Sequence, residues 1–239
     1  MALRNLVRKW LPWHLVRKSA ATYARDGLWT IHNADFMSDP AFRRAYSAGR
    51  ATGSWGDADI EWRAHVALWA ASQALHVQGD FIEFGVNRGG LSRAIVEYLD
   101  WSSHDRLFYL LDTFEGFDGD HPPSNSKEWF YTDTHEAVLQ SFKAFSGIEI
   151  VKGSVPGTLS QVPAETIAYA HIDMNSVGPE EGALAWVWPR LSVGGIILLD
   201  DYGWRGHEPQ KTMHDAFATA RNHKVLTLPT GQGLLIRQA

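Results

Sequence analysis

Short apolar runs alternate with stretches of helical spacing through the last two thirds of the chain. Asp80 to Phe84, Arg106 to Leu111, Glu149 to Lys152, Ile167 to Ile172 and Gly195 to Leu199 read as strands. Leu91 to Leu99, His135 to Phe145 and Glu180 to Leu191 fall between them and read as helices, and Gln210 to Arg221 reads as a further one. Lys224 to Leu228 and Gly233 to Arg237 close the pattern as two strands around Pro229-Thr230-Gly231-Gln232. Upstream, Ile60 to Gln78 places Trp62, Val66, Trp69, Ala70 and Leu75 at helical spacing, the pattern of a core-facing helix. Strands and helices in alternation predict an α/β fold, a mostly parallel sheet with helices on both faces.

The front of the chain is patterned differently. Tyr23 to Asp59 has little periodicity and is punctuated by Asp39-Pro40 and Gly53-Ser54-Trp55-Gly56, so short helices and loops are expected there, covering the site. The first twenty residues carry Arg4, Arg8, Lys9, Arg17 and Lys18 with no acid, interleaved with leucines, valines, Trp10 and Trp13. Two readings of this basic amphipathic segment stand. One is a weak foothold on an anionic membrane surface; the other, preferred, is a helix docked on its own domain or on a partner subunit. The segment lacks the unbroken apolar centre of a signal peptide and the length of a membrane span, so a cytoplasmic location is expected. Residues 1–60 are therefore expected to form an N-terminal helical extension or lid, and 61–239 one domain.

Composition narrows the chemistry. With 239 residues, 45% of them hydrophobic, the chain can bury one large core. It has no cysteine, which removes disulfides, thiolate nucleophiles and cysteine-held metals and leaves oxygen and imidazole as metal ligands. A net charge of −5 gives no overall attraction to nucleic acid, and none is expected as a partner.

Three strand ends carry chemically suggestive residues. Asp173 follows the strand Ile167 to Ile172, and Asp200-Asp201 follows Gly195 to Leu199; a helix between two strands makes them parallel neighbours, so all three carboxylates line one mouth. Such a set can hold a metal; the alternative is a solvated pair and a helix-capping residue. The strand ending at Glu83-Phe84 runs through Gly85 and Gly89-Gly90 into a helix. The middle glycine of the dinucleotide fingerprint is Asn87 here, so a nucleoside without phosphates fits this turn better than a pyrophosphate. Asp112 ends the next strand, where an acid commonly accepts hydrogen bonds from ribose hydroxyls, though it equally suits a turn cap. Val151-Lys152-Gly153-Ser154 ends the third and offers small residues as a rim for an adenine ring.

From about Asp80 to Arg237 the chain resembles class I S-adenosylmethionine-dependent methyltransferases, most closely the macrocin O-methyltransferase group, which acts on sugar hydroxyls of macrolide and aminocoumarin antibiotics. EFGVNRGG, LDTFEGF, VKGSVPGTL, HIDMNS and LSVGGIILLDDYG carry the resemblance; the first sixty residues do not. It implies a doubly wound, Rossmann-like sheet of seven strands with the last antiparallel, a bound S-adenosylmethionine, and a divalent cation, usually Mg²⁺, beside the acceptor. Matched residue by residue, it puts Glu83, Gly85, Val86, Asp112, Thr113, Phe114, Gly153 and Ser154 at the cofactor and Asp173, Asp200 and Asp201 at the metal. One position departs: the group commonly reads D-G-D where this chain has Asp173-Met174-Asn175, so an amide replaces a carboxylate.

The chemistry implied is displacement at a sulfonium methyl by an acceptor oxygen that must lose its proton. Asp173 is assigned as metal ligand and base, with His207 and His135 as reserves, and His171 as a hydrogen-bonded core residue. Three aspartates suit a hard cation such as Mg²⁺. The expected acceptor is a small hydroxylated molecule, a sugar of a natural product or surface glycan. The alternatives are a phenolic or catechol-like acceptor, a non-haem oxygenase, or a binding module without activity. An iron oxygenase usually needs two histidines and one carboxylate, which disfavours that reading.

Overall fold

The structure is a computed structural model and describes residues 21–116 and 134–239. The basic segment 1–20, with the membrane-surface and docking readings attached to it, lies outside those residues. Among the described residues no helix is long and apolar enough to cross a membrane.

Seven strands form one sheet. They are β3 (Asp80–Phe84), β4 (Phe108–Asp112), β5 (Ile148–Lys152), β6 (Ile167–Ile172), β7 (Leu191–Leu199), β8 (Leu226–Thr227) and β9 (Gly233–Ile236), in the order β5-β4-β3-β6-β7-β9-β8. The first five run parallel, and β9 is antiparallel to both its neighbours. Every residue of β6 is buried, as expected for a strand covered on both faces, which is why it reads as an unbroken apolar run. Residue parity sorts the core. Phe81, Phe108, Leu110, Tyr169, Ile196 and Leu198 face one helical layer, and Ile82, Phe84, Leu111, Ala170, Ile172 and Ile197 face the other.

The first layer is built from α1 (Pro40–Arg50), α2 (Glu61–Ala74) and α3 (Gly90–Tyr98). Asp39 caps α1, its carboxylate accepting from the N–H groups of Ala41 and Phe42 at 2.7 and 2.9 Å, with Pro40 in the first turn. α1 crosses α3 so closely that a side chain on Gly49 would lie 2.5 Å from the Gly90 carbonyl. The second layer includes α5 (Val177–Arg190) and α6 (Glu208–Thr219), which bury Ala183, Leu184, Val187, Phe217 and Ala218. α4 (His135–Phe142) joins the first layer, burying Val138 and Phe142 there.

The extension is helical over α1, but it does not begin with the short helices and loops expected from Tyr23 onward. Tyr23–Arg25 (β1) and Leu28–Thr30 (β2) form an antiparallel hairpin. Asp26 and Gly27 at its tip have φ of 50° and 73°, the left-handed pair that an Asp-Gly turn supplies. Three-residue strands are too short to register as alternation, so the turn was the only signal available.

Candidate functional site

The sheet order reverses at β3: the chain moves from β3 to β4 on one side and later returns with β6 on the other. A crevice at the carboxyl ends of two such strands is the usual ligand position in open α/β sheets. Here it is a cavity of about 290 Å³. Gly85 marks the closest approach of its two walls. Its φ is +85°, and a Cβ there would lie 1.8 Å from the Asp173 carbonyl oxygen, so only glycine lets the β3 turn pass the end of β6.

On the β3–β4 side, Asp112 braces the glycine turn. One carboxylate oxygen accepts from the N–H groups of Val86 and Asn87, each at 2.7 Å, and the other from Phe114 N–H at 2.6 Å. Burial pushes this carboxyl's pKa up, although the three backbone donors oppose the shift. Asp112 thus caps the following turn and also lines the cavity. The N-terminus of α3 is covered: Ser54 Oγ accepts from Arg88 N–H at 3.2 Å, and the Trp55 ring lies where a Gly90 side chain would be. That cover occupies the place a pyrophosphate takes in dinucleotide folds.

Of the expected cofactor residues, Glu83, Gly85, Val86, Asp112, Thr113 and Gly153 line the cavity. Phe114 and Ser154 do not. Phe114 is 1% exposed with its ring 4.9 Å from that of His135, and the Ser154 carbonyl accepts from Thr158. Ser54, Trp55, Ile60, Arg63, Asn87 and Leu91 also line it and were not singled out as ligand residues from the sequence.

On the β6–β7 side, Asp173, Asp200 and Asp201 each present a carboxylate oxygen, all within 4.8 Å of one another. Among the described residues they are the one group of three or more ligating side chains in such proximity. Asp200 is held from several directions: Arg63 donates to Oδ2 at 2.7 Å, Gln232 donates to Oδ1 at 2.8 Å, and His171 Nε2 lies 3.6 Å from Oδ1. Burial would raise its pKa, but Arg63 and His171 overcome that and hold the carboxyl well below its ordinary value. Its neighbours go the other way. Burial, reinforced by Asp200 and Asp201, holds Asp173 well above the usual carboxylate range, and burial with Asp200 pushes Asp201 up to about 7. The weak partners of these two explain the difference: Asn175 Nδ2 at 3.4 Å for Asp173, and His207 Nδ1 at 3.6 Å for Asp201. Three crowded oxygen donors suit a hard divalent cation, and the set includes no imidazole.

His171 is buried in β6 as expected, 1% exposed, and its Nδ1 is 2.9 Å from Glu83 Oε1. Burial would lower its pKa, but the carboxylates of Asp200 and Glu83 raise it to about 10. Burial also pushes the Glu83 carboxyl up, so the ring stands enclosed between two buried acids, bonded to one of them. His135 packs on Phe114 and does not line the cavity.

The family model described as Macrocin-O-methyltransferase (TylF) matches residues 66–230. Mycinamicin III 3''-O-methyltransferase of Micromonospora griseorubida is 32% identical over 144 residues, 53% of this chain and 56% of that protein. Demethyldecarbamoylnovobiocin O-methyltransferase of Streptomyces niveus is 28% identical over 143 residues, 53% of this chain and 54% of that one. The chain thus spans about half the length of the curated relatives it matches. In fold it is similar to the O-methyltransferase NovP, with a TM-score of 0.63 at 22% identity over 74% of this chain and 80% of that one. It is also similar to a calicheamicin methyltransferase, with a TM-score of 0.58 at 16% identity over 95% and 98%. With the match running from the middle of α2 to the turn before β9, the chain belongs to the macrocin O-methyltransferase family.

Proposed function

We propose that the protein is an O-methyltransferase that moves a methyl group from S-adenosylmethionine to a hydroxyl of a sugar, free or carried on a natural product or glycan, with a divalent cation in attendance. One observation carries this reading: a single cavity has the glycine turn and Asp112 on one wall and three converging aspartates on the other. Relatives named for methylation of mycinamicin and novobiocin precursors supply the class of acceptor.

In this reading Glu83, Gly85, Val86, Asp112, Thr113 and Gly153 hold the nucleoside and methionine portions of the donor, and residues 1–60 act as the cap over 61–239. Phe114 and Ser154 keep indirect roles, shaping the loops around Asp112 and Gly153. Asp173, Asp200 and Asp201 hold the cation, Mg²⁺ being the natural choice for oxygen donors. When bound, the donor supplies an electrophilic methyl on sulfur, and the cation lowers the pKa of a hydroxyl beside it.

The chain's own residues do the rest. The walls at Gly85 and Asp173 meet through the Asp173 backbone, so residues that would hold the donor adjoin residues that would hold the cation. A bound donor would supply its methyl carbon to the acceptor oxygen and would keep the electrons of the broken sulfur–carbon bond. The hydroxyl proton passes to a carboxylate oxygen of Asp173. Trp55, Met174 and Pro179 line the same cavity and keep bulk water from competing. Asn175, an amide, holds a ligand hydroxyl or the cation but takes no proton.

The test is incubation of the purified protein with isotopically labelled S-adenosylmethionine, Mg²⁺ and a panel of sugars, glycosides and catechols, read by mass spectrometry. Methylated sugar is the expected product. Methylation confined to the catechols overturns the acceptor class, and none of any acceptor, with no heat on titrating the donor, overturns the activity.

A further inference from the structure

Among the described residues Arg63 is the one arginine or lysine that lines the cavity, and the mechanism above gives it no part. It rises from the first turn of α2 and is 18% exposed. Its guanidinium divides between two acids that are far apart in sequence. Nε and one terminal nitrogen grip both oxygens of Asp26, at 2.8 and 3.1 Å, while the other terminal nitrogen donates to Asp200 Oδ2 at 2.7 Å. The Trp204 ring lies 5.2 Å from the guanidinium carbon. Asp26 is the tip of the β1–β2 hairpin, and the hairpin is fastened to the start of α2 by Tyr23 and Arg25, both bonded to Glu61.

We infer that Arg63 is an internal counter-ion of the aspartate cluster, a positioning residue that sets the affinity of Asp173, Asp200 and Asp201 for a divalent cation, and that Asp26 tunes it from the hairpin. This rests on the cation site proposed above. Asp200 does not depend on Arg63 alone for its orientation, because Gln232 donates to its other oxygen at 2.8 Å. What Arg63 adds is a fixed positive charge on one carboxylate of the proposed cation site. Like charges a few ångströms apart inside a protein repel, so Arg63 weakens cation binding. Asp26 offsets part of that charge through its bidentate grip and therefore strengthens it. The two substitutions must shift affinity in opposite directions, which a merely structural role for the clamp does not produce.

Calorimetric titration of Mn²⁺ into the whole protein, with neither donor nor acceptor present, tests this. Arg63→Gln is expected to tighten Mn²⁺ binding by about tenfold, Asp26→Asn to weaken it by a similar factor, and Arg63→Lys to stay close to wild type. If Arg63→Gln fails to fold, as judged by thermal unfolding, the Asp26→Asn arm carries the test alone. Wild-type protein that binds Mn²⁺, with both variants unchanged or shifted the same way, overturns this inference and leaves the cation site standing. Wild-type protein that binds no Mn²⁺ removes both.

Discussion

His171 Nδ1 stands 2.9 Å from Glu83 Oε1, both side chains almost wholly enclosed, so a buried hydrogen-bonded pair joins the strand that enters the glycine turn to the strand that leads into Asp173. Removing one partner of a buried pair strands the other charge, and Asp200 on the far side of the ring loses support as well. His171→Ala is expected to lower stability by about 3–5 kcal/mol in urea denaturation. A loss below about 1 kcal/mol contradicts a structural role for the pair.

Asp112→Asn keeps the shape of the side chain but turns an NH₂ group toward backbone N–H donors. With acceptors replaced by a donor, the Val86–Asn87 turn and the Phe114 turn cannot both be satisfied. We expect S-adenosylmethionine affinity to fall by at least about tenfold, with a stability loss of about 1–3 kcal/mol, in parallel calorimetric and unfolding measurements. Undiminished affinity sinks the role given to Asp112.

Gly85→Ala places a methyl group where the Asp173 carbonyl already stands, at a backbone angle that side chains rarely adopt. Strain of about 1–3 kcal/mol adds to the clash and pushes the two walls of the cavity apart. The variant is expected to lose donor and cation binding together. Loss of one with retention of the other shows that the walls are not coupled through this contact.

His65 stacks on Phe36 at 4.1 Å between ring centroids, and burial lowers its pKa below the usual 6.5. The unfolded chain then binds the proton more readily than the folded one, so this residue's contribution to stability is complete above about pH 6.5 and declines as the pH falls through that value. The aspartates with raised pKa act in the opposite sense, so the comparison is wild type against His65→Phe. The difference between their stability curves should be flat at neutral pH and slope downward toward acid. A flat difference throughout contradicts it.

Much of this was legible because parallel strands are buried on both faces. β3 and β6 match the expected Asp80–Phe84 and Ile167–Ile172 residue for residue. β7 is longer than expected: it begins at Leu191, because the end of α5 passes directly into the strand and Ser192 to Gly194 carry no apolar run. The three aspartates could be grouped from chain order, since a helix between neighbouring strands forces their ends together. Arg63 could not. Its partners are 37 and 137 residues away, and on a helical wheel an arginine beside core positions reads as solvated surface. Gln232 was hidden for the same reason, sitting in a turn whose composition signals only a bend.

Crystals grown with Mn²⁺ and S-adenosylhomocysteine test the central claim most directly, because anomalous scattering locates the ion and the electron density locates the sulfur. The account predicts an anomalous peak enclosed by Asp173, Asp200 and Asp201, with the nucleoside against Asp112 and the sulfur between Gly85 and the ion. A peak elsewhere, or a nucleoside seated away from the β3 turn, contradicts it.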